Sequence, residues 1–172
     1  MELVIYPSDV LVSRNQPIAA YDADVAARVK EMFEIMGKAD GAGLAAPQVG
    51  WNVRLFILGV PGPNDREAIQ RVVWNPAIQT SGDLVLMEEG CLSFPGIHAK
   101  VPRWTRTRLQ AQTPEGPLDE VFTGFAAQAV QHEMDHLDGL LFIEKMSPAD
   151  RQRVAPALRE LAALKFPPKK HR

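Results

Sequence analysis

The apolar positions Val25, Val29, Met32, Phe33 and Met36 recur at helical spacing. They predict a helix with one buried face, capped by Asp22 or Asp24 and running to about Gly37. A glycine-rich loop from Gly41 to Gly50 follows, and the apolar run Val53 to Val60 is predicted to be a strand. Pro61-Gly62-Pro63-Asn64-Asp65 reads as a turn. Arg71 to Trp74 and Leu84 to Met87 predict two further strands. Arg106 to Gln112 and Leu118 to Phe122 predict a hairpin around a Thr113-Pro114-Glu115-Gly116-Pro117 turn. From Gly124 the period is helical again. This helix carries Phe125, Gln128, Ala129, His132, Glu133 and His136 along one stripe and ends near Asp138-Gly139. A last helix is predicted from Pro148 or Asp150 to about Leu164, stopped by Pro167-Pro168. Strands in the middle with helices before and after imply an α+β fold. We expect one compact domain over residues 1–172, with antiparallel or mixed sheets around the histidine-bearing helix and a C-terminal helix.

The chain length of 172 residues suits a single domain with a sizeable core. A net charge of −2 argues against DNA or other generic nucleic-acid binding by the whole surface. Charge is unevenly spread: residues 151–172 hold seven Lys/Arg against Glu160, a balance of +6, so the rest carries −8. That basic end fits either a solvated tail or an element that docks on a polyanion. No apolar run approaches the roughly 20 residues of a membrane span. The N-terminus lacks the layout of a secretory signal, so a cytoplasmic protein is expected. A monomer is expected. Cys91 is the single cysteine, which excludes an internal disulfide.

Candidate chemistry centres on His132-Glu133-Met134-Asp135-His136, an H-E-x-x-H motif. On a helix its histidines share a face and can grip one metal ion, with Glu133 as general base. The metzincin protease pattern needs a third histidine at position 142, where Phe142 stands. His98 and His171 are the only other histidines, and Glu144 follows His136 too closely to reach back without a sharp turn. Upstream, Cys91 in Glu89-Gly90-Cys91-Leu92-Ser93 is an apt third ligand. A Cys-His-His set leaves a fourth position for water, the layout of a catalytic metal. Gly41 to Ala46 fits the dinucleotide pattern G-x-G-x-x-A, but it follows a helix and precedes a strand, the reverse of the order that fold requires. It reads as a tight turn, or as a loop whose bare backbone approaches a substrate while Gln48 aims an amide at the metal.

Taken together, Gly41 to Gln48, Glu89 to Ser93 and Gln131 to His136 resemble the three motifs of peptide deformylases, complete and in the family's order. The resemblance implies a hydrolase that removes the N-formyl group from the N-terminal methionine of new polypeptides and releases formate. It implies Cys91, His132 and His136 as metal ligands and Glu133 as the acid/base residue. The Gln48 amide and the Leu92 N–H are implied as oxyanion donors, and Gly43 as a backbone contact to the substrate. Glu89 and Arg103 match a buried pair that braces the cysteine segment. The implied ion is divalent, Fe²⁺ in the cell, with Zn²⁺, Ni²⁺ or Co²⁺ as alternatives. Similar bacterial enzymes use their last helix to contact the ribosome, a role open to residues 151–172. Phe125, Ala129 and Met87 are candidates for a methionine pocket, and each fits a plain core position equally well. The opening Tyr6 to Arg14 is a loose version of the family's pattern, and Phe94 and His98 fall where the substrate chain would run. A zinc peptidase and a non-catalytic metal-stabilised module are the competing readings.

Overall fold

The computed structural model describes residues 1–61 and 68–165. The expected turn at 61–65 falls mostly outside these residues, as do Pro167, Pro168 and His171. Three helices and five strands make up the fold: α1 (Ala23–Lys38), β1 (Gly43–Ala45), β2 (Leu55–Val60), β3 (Ile69–Gly90), β4 (His98–Thr113), β5 (Gly116–Thr123), α2 (Gly124–Leu137) and α3 (Pro148–Lys165). The strands form one antiparallel sheet in the order β1-β2-β3-β4-β5. The α+β class is borne out.

Helix α1 begins as its sequence dictates. The Asp22 side chain accepts the Val25 N–H at 2.9 Å, satisfying one of the free donors of the first turn. Val25, Val29, Met32 and Met36 are buried against Leu44, Leu55 and Ile57. In β4, Ala99, Val101, Arg103, Thr107, Leu109 and Ala111 point inward while the intervening residues face solvent.

Two strand assignments are corrected. The segments at Arg71–Trp74 and Leu84–Met87 belong to one strand of 22 residues, β3. Between them the pairing with β4 carries two register shifts, between Trp74 and Ala77 and between Ser81 and Leu84. Asn75 and Gly82 take positive φ there (49° and 83°). Bulges absorb such residues without ending a strand. Strand β4 starts at His98, eight residues earlier than expected. Pro102 is tolerated within it because β5 pairs only with Arg106 to Thr113, so Pro102 lies where β4 has a free edge and needs no donor.

Helix α2 runs through the middle of the molecule. Ala127, Val130 and Leu137 anchor it in a core with Phe56, Leu58, Leu109 and Phe122. Its C-terminal carbonyls do not go unpaired. Asn15 Nδ2 donates to His136 O and Leu137 O at 3.1 Å each, and Arg54 Nη1 donates to Leu137 O at 3.2 Å. Gly139 then turns the chain at φ 72°, and a Cβ there would lie 2.7 Å from Val12 O. Among the described residues no helix is long and apolar enough to cross a membrane.

Candidate active site

Segments far apart in sequence converge on one cavity of about 600 Å³. Because α2 is held by its core-facing residues, it turns Phe125, Gln128, Ala129, His132 and Glu133 toward this cavity. The end of β3 brings Glu88, Glu89 and Gly90, and Cys91 follows at the start of a turn. Strand β1 brings Gly43, and a short 3-10 turn over Ala46–Val49 brings Gln48.

The donor atoms of Cys91, His132 and His136 lie within 4.8 Å of one another. Cys91 Sγ is 3.3 Å from His136 Nε2, and the two imidazole rings cross at 80° with centroids 4.9 Å apart. Sulfur and nitrogen bound to one ion at about 2.3 and 2.1 Å in tetrahedral geometry would be roughly 3.6 Å apart. The residues therefore fit a divalent ion, and a second observation agrees. Glu133 Oε2 is buried with no hydrogen-bond partner among the described residues, an oxygen positioned for a proton from outside the chain. His136 Nδ1 is also buried without a partner among these residues. Phe142, at the position of the metzincin histidine, is buried and tilts against His132 with ring centroids 6.0 Å apart. Glu144 stays out of the site because its carboxylate accepts the Leu141 N–H at 3.0 Å.

Gln48 is oriented by its neighbours. Its Oε1 accepts the Ala45 N–H at 2.8 Å, which turns Nε2 toward Cys91 Sγ and Ser93 Oγ, each at 3.3 Å. Among the described residues no backbone acceptor takes the Leu92 N–H. Gly43 abuts Glu133, and a Cβ there would sit 2.8 Å from the Glu133 Cδ.

Electrostatics divide the site. Burial pushes the Glu133 carboxyl up to about 7, with the Glu89 and Asp135 carboxylates adding to it and His132 and Arg103 opposing it. Burial also opposes ionisation of Glu89, but hydrogen bonds from His132 and Arg103 and their charges outweigh it, and its pKa falls to about 2. Burial, reinforced by His132, pushes the His136 imidazole well below its ordinary value, toward the neutral form a metal requires. For His132 burial acts the same way, but Cys91 and Glu89 overcome it and raise the pKa well above the ordinary value.

A bonded chain of side chains lies behind the candidate ligands. Glu89 Oε2 is 2.9 Å from His132 Nδ1, so the ring presents Nε2 to the cavity. Arg103 grips Glu89 with Nε at 2.6 Å and Nη2 at 3.0 Å, and reaches Asp135 with Nη1 at 2.6 Å. Lys145 Nζ closes the far end, 2.6 Å from the Asp135 carboxylate. The Glu89–Arg103 part was expected. Asp135 lies inside the quoted motif but carried no assigned role, and nothing in the sequence marked Lys145.

The pocket candidates divide. Phe125 (53% exposed) and Ala129 line the cavity. Met87 does not: it is half-buried on β3 opposite Val101. Four residues of extended chain separate it from Cys91 by roughly 13 Å. Phe94 and His98 both line the cavity, and a Cβ on Gly90 would lie 2.7 Å from the His98 ring.

A model of the polypeptide deformylase family matches residues 1–152. The chain belongs to the polypeptide deformylase family. Rice peptide deformylase 1B, a chloroplastic protein, is 40% identical over 94% of this chain and 60% of its own length. This chain thus spans less than two thirds of that relative. The peptide deformylase of Chromobacterium violaceum is 36% identical over 93% of this chain and 95% of its own length. Among solved structures, Plasmodium falciparum peptide deformylase superposes with a TM-score of 0.90 at 33% identity, covering 99% of this chain and all of the other. An Arabidopsis thaliana peptide deformylase 1B solved with an inhibitor gives 0.88 at 37% identity, covering 99% of this chain and 94% of that one. Deformylases are metal-dependent hydrolases that remove the N-formyl group from the initiating methionine.

Proposed function

We propose that residues 1–172 form one catalytic domain that deformylates N-formylmethionyl nascent peptides. In this reading Cys91, His132 and His136 hold a divalent ion, Glu133 moves the proton, and Gln48 and Leu92 N–H receive the developing charge. The observation behind it is the convergence of the Cys91, His132 and His136 donor atoms beside Glu133, whose buried Oε2 has no partner among the described residues.

An ion held by Cys91, His132 and His136 would supply Lewis acidity there, enough to bring the pKa of water toward neutrality. Glu133 accepts the water's proton and delivers it to the leaving amine, a role worth roughly 10²–10⁴-fold. Attack on the formyl carbon builds negative charge on its oxygen, and the Gln48 amide, already aimed at Cys91 Sγ, and the Leu92 N–H would meet it. Loss of one such donor costs about 10²–10³-fold. Glu89 holds His132 through Nδ1. Gly43 keeps the space beside Glu133 open, because a side chain there would displace the carboxylate. Phe125 and Ala129 are the walls of the methionine pocket, and Met87 stands too far along β3 to contribute.

A thiolate with two imidazoles suits Fe²⁺, Zn²⁺, Ni²⁺ and Co²⁺ alike. We assign Fe²⁺ on the strength of the family resemblance; metal analysis of anaerobically purified protein tests this. The setting proposed is the cytoplasm, with the protein a monomer there and its basic C-terminal end against the ribosome. Support for the last point is the charge of residues 151–172.

The test of the activity is formate release from a formyl-Met peptide. We expect formate without internal cleavage from wild type, and from Glu133→Ala full metal content with turnover reduced at least about 10²-fold. Near-wild-type turnover by that variant removes Glu133 from the mechanism. Internal cleavage would favour a peptidase.

A further inference from the structure

Lys145 and Asp135 take no part in the mechanism above, yet they end a chain of bonds that begins at a ligand. We propose that Lys145 is a positioning residue for the metal site: it neutralises Asp135 and so leaves the Arg103 guanidinium committed to Glu89 and, through Glu89, to His132. The proposal rests on the reading of Cys91, His132 and His136 as metal ligands.

The geometry sets up a competition. Arg103 is almost wholly buried and faces two carboxylates, Glu89 on one side and Asp135 on the other. Its Nε and Nη2 serve Glu89, and its Nη1 serves Asp135. One guanidinium against two carboxylates leaves a buried excess of negative charge, which is costly in a low-dielectric setting. Lys145 supplies the second cation, 2.6 Å from Asp135. Two positive groups then face two negative ones, and neither carboxylate has to draw Arg103 from the other. Without Lys145, Asp135 depends on Arg103 alone, and the planar fork on Glu89 loosens. Glu89 is the partner of His132 Nδ1, and such partners fix ring orientation and ligand strength at metal sites.

The placement of Lys145 is itself fixed. It follows a 3-10 turn over Phe142–Glu144, where Phe142 is buried and the Glu144 side chain caps the Leu141 N–H. The Lys145 N–H donates to Phe142 O at 3.0 Å. The backbone that carries Lys145 is therefore fixed, and from it the ammonium reaches the Asp135 carboxylate at 2.6 Å.

Co²⁺-loaded full-length protein is mixed with excess chromophoric chelator and the rate of ion transfer is followed. Lys145→Met is expected to release Co²⁺ about tenfold faster than wild type, and Lys145→Arg at close to the wild-type rate. The deciding variant is the double substitution Asp135→Asn with Lys145→Met. It removes the competing carboxylate together with its cation, so release should return toward wild type. A surface ion pair that merely adds stability predicts the opposite, a double variant at least as leaky as Lys145→Met. Either that result or wild-type release from Lys145→Met overturns the proposal. Cys91→Ser separates the two levels of inference. If Cys91→Ser loses Co²⁺ while Lys145→Met keeps it, the positioning role alone is lost. If Cys91→Ser holds Co²⁺ as tightly as wild type, the ligand reading falls and takes the positioning role with it.

Discussion

Glu133 shows what a buried carboxyl costs the fold. An isolated glutamate ionises near 4.5, whereas burial and the neighbouring carboxylates move Glu133 to about 7. Below about pH 4.5 it is protonated in both folded and unfolded chains, and the fold bears no penalty. Between 4.5 and 7 the unfolded chain ionises first, so this group's contribution to stability falls as pH rises, by about 3 kcal/mol across the window. Glu89 acts in the opposite direction. With its pKa held at about 2, its contribution is complete above 4.5 and is lost as pH falls toward 2. We predict that metal-free Glu133→Gln melts higher than metal-free wild type above pH 7, and that the gap closes as pH drops to about 4.5. Melting curves across that range test it, and equal melting points at pH 8 would remove burial of the charge as the cause. The candidate ligands and base were legible in the sequence because they sit at fixed spacing on short motifs. Their supports were not. Asn15 caps a helix 121 residues away and Lys145 meets Asp135 across a helix end; neither contact leaves a local pattern.

At the scale of elements, the short strand β1 controls how close the backbone comes to α2. Gly43 pairs with Leu58 and faces Glu133, with no room for a Cβ. Gly43→Ala must push the carboxylate aside by several tenths of an ångström or distort β1. We expect at least a tenfold loss of kcat, on the order of 1.4 kcal/mol in the barrier, with metal content unchanged. Formate-release kinetics with metal analysis measure both. A variant with normal kcat would show that Glu133 tolerates displacement. The same strand illustrates why elements were harder to read than motifs. Three residues, Gly43 to Ala45, are too few for a period to register, and their pairing with Leu58, Ile57 and Phe56 is a tertiary fact. In β3, turn-forming residues at Asn75 and Gly82 are accommodated by register shifts that only the neighbouring β4 reveals. Helix α1 was predictable because its Asp22 cap and apolar stripe are local, and α2 because its stripe and its Asp138-Gly139 end are.

For the molecule as a whole, charge and packing pull α3 in two directions. Val154 and Leu161 are buried against Ile97, Ala99 and Val101, so the helix is part of the fold and not a free tail. Two of its cations are already engaged: Arg151 donates to Ile143 O and Glu144 O, and Arg153 donates to His98 O and pairs with Asp150. Arg159 is exposed, and Lys169, Lys170 and Arg172 follow in the sequence. Deleting all of 151–172 would therefore confuse loss of a contact with loss of core. Deleting 166–172 removes three cations and leaves Val154 and Leu161 in place. If the basic end docks on ribosomal RNA, each phosphate contact contributes roughly 0.7–0.9 to the slope of log affinity against log salt. The shortened protein should then co-sediment with ribosomes more weakly at low salt, with a slope shallower by about 2–3. Its turnover of a free formyl-Met peptide should be unchanged, since the described residues that line the cavity all precede position 134. Identical co-sedimentation of the two proteins across the salt series would place any ribosome contact elsewhere on the surface.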